Sequence, residues 1–372
     1  MHAETELPPE RGRDPFIDLV RAASLVVVVL WHWVFSVILW GDDGPWATNP
    51  IGFTSGLFVI TWLLQVMPLF FFVGGWAHTQ AYASFATAGR GSAWRFARRR
   101  LVTLARPALA LAVVWWIVGI GVAAVFDVAW TGKAVVLVLS PLWFLVVYGL
   151  LIALFPVARW LHERFDVVVL VWAAGLAVGI DVVRFRWGWD WLGWLNMVLV
   201  WGLCHQLGFF YRRLVAAGRQ VAWALASAGL FALAGLVLSG LYPGSMVGVP
   251  GDRLSNMAPP TVCIVALVLF QAGVALLVRP AVLLRLRASA RWRWSSATMN
   301  RFSLPLYLFH SSGLAIWVVL VFQVVGYNDG FGLAARFDID ALWWLTRPLA
   351  VIGPALCTAP MLWAYARLTD RS

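Results

Sequence analysis

The chain has 372 residues, of which 62% are apolar and 12% charged, and its formal net charge is +11. Soluble domains are roughly half apolar and a quarter charged, so water is excluded as the main solvent of most of this surface. The basic residues sit in clusters between apolar runs and not on a polar domain, which argues for membrane topology and against nucleic acid as a partner.

A helix crosses a hydrocarbon core about 30 Å thick with about 20 apolar residues. By that measure the expected spans run from Phe16 to Trp40, Leu57 to Tyr82, Leu104 to Phe126, Ala134 to Ala158, Val167 to Val183, Trp191 to Tyr211, Val221 to Leu241, Thr261 to Val278, Phe302 to Val325 and Ala341 to Tyr365. The chain is thus expected to be an all-α polytopic membrane protein with about ten transmembrane helices. Its expected organisation is an N-terminal tail over 1–15, a single transmembrane domain over 16–366 and a C-terminal tail over 367–372. The first span runs on past Trp40 without a small-residue cleavage site, so it is expected to be retained as a helix.

An even number of spans puts both termini on one side, and short cytoplasmic loops are enriched in arginine and lysine. Of the 28 basic residues, all but Lys133, Arg184, Arg186, Arg253, Arg336 and Arg347 then fall on the side of the termini. Both termini are therefore expected in the cytoplasm. The loops on the other side, Gly41 to Gly56 and Tyr242 to Pro260, are poor in basic residues and rich in glycine and proline. Cys204, Cys263 and Cys357 lie inside apolar runs and give neither a disulfide framework nor a zinc spacing, so no metal site is expected.

Titratable residues inside a span cost a few kcal/mol on insertion scales and call for a partner, a watery cavity or a function. Asp18, Arg21, His32 and Ser36 gather in the first span. At about 100° per residue, Arg21 and His32 come round to within about 20° of each other, about 16 Å apart along the axis. Asp18 is spaced to pair with Arg21 and is too far away to orient His32. One face thus carries a cationic end and a deeper proton-handling end. The plain structural alternative is an anchoring Asp18–Arg21 pair, with His32 as a helix–helix contact.

Arg21 to His32, reading RAASLVVVVLWH, resembles the arginine, ten residues and histidine in the first helix of the acyltransferase-3 family. MPLFFFVGGWAH from Met67, ARRRLVTLARP from Ala97, PLWFL from Pro141 and FSLPLYLFH from Phe302 resemble later motifs of that family, in the same order. The basic run departs from the pattern of two arginines separated by two residues. At that spacing Arg100 is followed by Thr103, and the next arginine is Arg106.

The resemblance implies transfer of an acyl group, commonly acetyl, from acyl-CoA to a hydroxyl of a glycan, cell-envelope component, lipid or secreted natural product, in a bacterial cytoplasmic membrane. His32 is the expected catalytic base, since an imidazole titrates close to neutral pH. A covalent acyl-histidine is the alternative role for it. Arg21, Arg98, Arg99, Arg100 and Arg106 are the expected contacts of the donor's phosphates, which planar guanidinium groups bind in pairs. Asp18 and His310 are candidate supporting residues. No tightly bound cofactor is expected, acyl-CoA being the donor substrate. The rival reading is a secondary transporter or permease with the Arg21/His32 stripe lining a substrate or proton path.

Overall fold

A computed structural model describes residues 14–41, 44–52, 54–126, 130–249, 252, 254–325 and 340–369. Helix α1 (Pro15–Phe35) opens on an Asp14 cap, whose Oδ1 accepts from the Phe16 amide at 2.9 Å, with proline at the first helical position. The helix stops at Phe35 and does not continue to Trp40. Val37–Gly41 forms strand β1, paired antiparallel with β2 (Gly44–Thr48), Val37 lying opposite Thr48 and Gly41 opposite Gly44. A short apolar run does not distinguish strand from helix by itself. Gly44, at φ +102°, supplies the backbone that lets the chain double back.

Two expected spans are broken. The second consists of α2 (Ile60–Leu64) and α3 (Met67–Thr87), the fourth of α5 (Thr131–Leu139) and α6 (Trp143–Phe165). Irregular backbone at membrane depth is tolerated only where protein or a cavity satisfies it. At the first break, Gln271 Nε2 donates to the carbonyls of Trp62 and Gln65, and Gln65 Nε2 donates to that of Met246. Helix α4 (Ala93–Phe126) is one long helix that carries the arginine run on its first turns. Then follow α7 (Val168–Trp187), α8 (Asn196–Phe209), the short α9 (Tyr211–Ala216), α10 (Gly218–Leu238), α11 (Val262–Ala288), α12 (Ala290–Val325) and α13 (Ala341–Thr369).

Among the described residues nine helices, counting each broken pair as one, are long and apolar enough to cross a membrane. The expected sixth span is the exception, because Asp190–Leu195 is a 3₁₀ segment and α8 has only 14 residues. Its two ends nevertheless reach opposite faces. At one, Asn196 Nδ2 donates to Asp181 at 3.1 Å, and the same carboxylate accepts from Tyr242, the Val262 amide and Arg184. At the other, Tyr211 donates to Asp14 at 2.8 Å and accepts from Arg279 Nε at 2.8 Å. The helix and its 3₁₀ lead-in rise by about 21 and 12 Å, enough together for a crossing.

With α8 counted, the helices alternate in direction, and Asp14 and the end of α13 lie at the same face. That face bears Arg90, Arg99 and Arg100 and is called the arginine face below. The opposite one, bearing the β1–β2 hairpin, is the hairpin face.

Small residues bring helices together. A Cβ on Gly75 would overlap the His205 carbonyl oxygen and one on Gly208 the Phe72 carbonyl, so α3 and α8 touch backbone to backbone. Outward, α4 exposes Leu109, Val113, Trp116, Ile117 and Ile120 as a lipid-facing surface. Trp187, Trp189, Trp191 and Trp194 are likewise exposed, at the hairpin face where an aromatic belt sits. Helix α1 packs against α3, α11, α12 and α13, which places its polar face at the centre of the bundle.

Candidate active site

Helices α1 and α12 run side by side in the same direction and bring His32 against His310. Their rings stack with centroids 4.9 Å apart at 9°, and His32 Nδ1 lies 2.7 Å from His310 Nε2. His310 is 1% exposed, and its Nδ1 bonds the Tyr307 carbonyl one turn earlier on α12. A carbonyl only accepts, so this Nδ1 carries the proton and Nε2 of the neutral ring is an acceptor. His32 must then donate from Nδ1. Its Nε2 is left with the lone pair, the state a proton acceptor needs.

Neighbouring side chains hold this part of α12. Trp33 Nε1 donates to the His310 carbonyl at 3.1 Å, Ser311 Oγ lies 3.1 Å from His310 Nε2, and Trp115 of α4 donates to Ser312 Oγ at 2.8 Å. Tyr307 donates its hydroxyl to the Pro141 carbonyl, tying α12 to the break between α5 and α6. His32 lines a cavity of about 400 Å³ that extends from the hairpin to Tyr307 and Phe144. Both helix breaks border it, through Gln65 and Met67 at one and Ser140, Pro141 and Trp143 at the other.

Arg21 lies on the arginine-face side of His32, with Nη2 3.2 Å from Asp18 Oδ1 and 3.3 Å from Asn300 Oδ1 of α12. Asn300, three turns before His310, carries no signal in the sequence, since a lone asparagine has none until its partner is known. The other expected arginines separate into two groups. Arg99 and Arg100 join Arg90, Ser84 and Thr103 around a second cavity of about 390 Å³ at the arginine face. Arg99 covers the Phe85 ring and Arg100 the Phe96 ring, at 5.7 and 5.6 Å from the centroids. Arg98 and Arg106 are exposed elsewhere on α4 and do not line it.

A second histidine pair sits between the cavities. His78 Nδ1 lies 3.0 Å from His205 Nε2, and Tyr148 Oη lies 3.2 Å from His78 Nε2. Tyr148 stacks on Phe144, which lines the first cavity, and His78 meets Phe96, which lines the second. His205 is 2% exposed and ties α8 to α3 through His78. In the loops of the hairpin face, burial beside the Asp181 carboxylate pushes the Tyr242 phenol up.

A polar helix face thus leads from a cationic end to an oriented imidazole that lines a cavity inside a membrane bundle. A family model described as an acyltransferase domain, acyltransferase-3, matches residues 14–364. The chain belongs to the acyltransferase-3 family and is a membrane acyltransferase. No curated protein and no solved structure matches it.

Proposed function

We propose that the chain transfers an acyl group, acetyl in the first instance, from acyl-CoA to a hydroxyl, and that His32 is the general base. The observation behind this reading is the hydrogen-bond order Tyr307 carbonyl–His310–His32, which leaves the Nε2 lone pair of His32, a residue of the cavity wall, unused. The hydroxyl oxygen attacks the thioester carbonyl as His32 Nε2 takes its proton. The carbon–sulfur bond then breaks, and the departing thiolate takes that proton back, giving an ester and a thiol.

The donor's phosphates bind at the arginine face, to Arg90, Arg99 and Arg100 with Arg21 deeper in. That face is the cytoplasmic one, in keeping with its arginine content and the cytoplasmic supply of acyl-CoA, and the membrane is the cytoplasmic membrane of a bacterium. Arg21 and His32, about 16 Å apart along α1, are spaced for a donor whose phosphates and thioester lie at opposite ends of a long arm. The acceptor enters from the hairpin face.

The test is thiol release from acetyl-CoA by purified protein, with and without envelope extract, in the wild type and His32→Ala. Extract-dependent release that the substitution abolishes supports the reading. Absence of donor turnover or binding across several acyl-CoAs would return the Arg21/His32 stripe to the transport alternative.

A further inference from the structure

Resting on that acyl-transfer reading, we infer that the acceptor is an uncharged alcohol with a predominantly apolar body, and not a water-soluble glycan or an ionic polymer. The inference comes from the wall of the His32 cavity. None of the described residues lining it is aspartate, glutamate, lysine or arginine. Trp31, Phe35, Trp143, Phe144, Leu314 and Val318 make most of its surface apolar.

The polar side chains that do reach the wall are largely bound to the protein. Asn49 Nδ2 donates to the Gly248 carbonyl at 3.2 Å and its Oδ1 accepts from the Ile51 amide at 3.2 Å. Gln65 Nε2 donates to the Met246 carbonyl at 3.2 Å and its Oε1 accepts from the Met67 amide. Ser140 donates to the Leu137 carbonyl, Tyr307 to the Pro141 carbonyl, and Ser311 is held at His310. This leaves His32 Nε2, the hydroxyls of Ser36 and Thr48 and the indole N–H groups of Trp31 and Trp143 as side-chain groups for which the described residues show no partner.

A sugar ring carries a hydroxyl on nearly every carbon. Buried here, most of these would lose their water without gaining a partner, each at a cost of about tenfold in affinity. A carboxylate or phosphate would fare worse, since no described cation meets it. An alcohol on an apolar body asks for one partner, and His32 is that partner. Bilayer lipids and apolar natural products dissolved in water share this chemistry, and the route of supply separates them.

The test offers labelled acetyl-CoA to the full-length protein in lipid nanodiscs with one acceptor at a time. Farnesol within the nanodisc represents a bilayer source, hexanol in the aqueous phase a dissolved one. Maltotriose represents a neutral glycan and trigalacturonate an anionic one. In parallel, envelope extract is acylated and the product partitioned between butanol and water.

The expected result is His32-dependent transfer to farnesol or hexanol with kcat/KM at least tenfold above that for either oligosaccharide, and extract label in the butanol phase. The better of the two alcohols identifies the source. His32-dependent transfer to maltotriose or trigalacturonate at an equal or higher rate, or extract label confined to water, overturns this inference and leaves the acyl-transfer reading standing. No His32-dependent transfer to any probe or to extract overturns both.

Discussion

Replacing His310 should slow catalysis without weakening donor binding, because His310 acts on the reaction only through His32. In His310→Ala the Nδ1–H of His32 loses its acceptor at 2.7 Å and its stacking partner at 4.9 Å. An unpaired buried donor costs about 1–3 kcal/mol, and the ring escapes that cost by turning or by moving its proton to Nε2. Either response removes the lone pair from the cavity. At about 1.4 kcal/mol per tenfold in rate, kcat should fall by roughly 10- to 100-fold, with KM for acyl-CoA little changed.

His310→Gln should recover part of the loss, since an amide oxygen can accept the same proton, whereas His310→Leu should not. Steady-state thiol release in detergent, with both substrates varied, reads kcat and KM separately. Activity of His310→Ala within about threefold of wild type would refute the orienting role. Equal inactivity of His310→Ala, His310→Gln and His32→Ala would instead make His310 a direct participant in the chemistry.

Two further predictions concern the faces of the bundle. Arg99→Gln with Arg100→Gln should raise KM for acyl-CoA about tenfold or more with a smaller effect on kcat, since phosphate contacts far from the reacting carbonyl supply binding common to ground and transition states. The check is the same kinetic assay, and a pure loss of kcat would contradict it. Asp181→Ala should cost about 3–5 kcal/mol of stability, because it strips a fully buried carboxylate from four donors and leaves Arg184 uncompensated at 4% exposure. Thermal unfolding in detergent checks this, and an unchanged midpoint would show that the cluster is not a structural tie.

Much of the site was legible because a helix has a fixed period. Asp18, Arg21, His32 and Ser36 share a face by arithmetic alone, and both the 3.2 Å Asp18–Arg21 pair and the cavity position of His32 lie along it. What arithmetic cannot supply is the partner from another helix. His310 and Asn300 are 278 and 279 residues from the groups they meet, and His205 is 127 from His78.

The spans were legible from apolar length, yet the same criterion concealed the paired strands Val37–Gly41 and Gly44–Thr48, the first of which is as apolar as a helix end. Pro68 and Pro141 stand beside the two helix breaks, but proline is also tolerated inside membrane helices, as Pro107, Pro156 and Pro280 show. Only the cavity gives the breaks their meaning.

The most direct measurement is acceptor-dependent thiol release from acetyl-CoA by wild type and His32→Ala, with folding checked by thermal unfolding and donor binding by calorimetry. The predicted result is a loss of roughly 10²- to 10⁴-fold in turnover, the span a general base supplies, with folding and acetyl-CoA binding retained. Turnover that survives in a folded His32→Ala protein would contradict the assignment of His32 as the base.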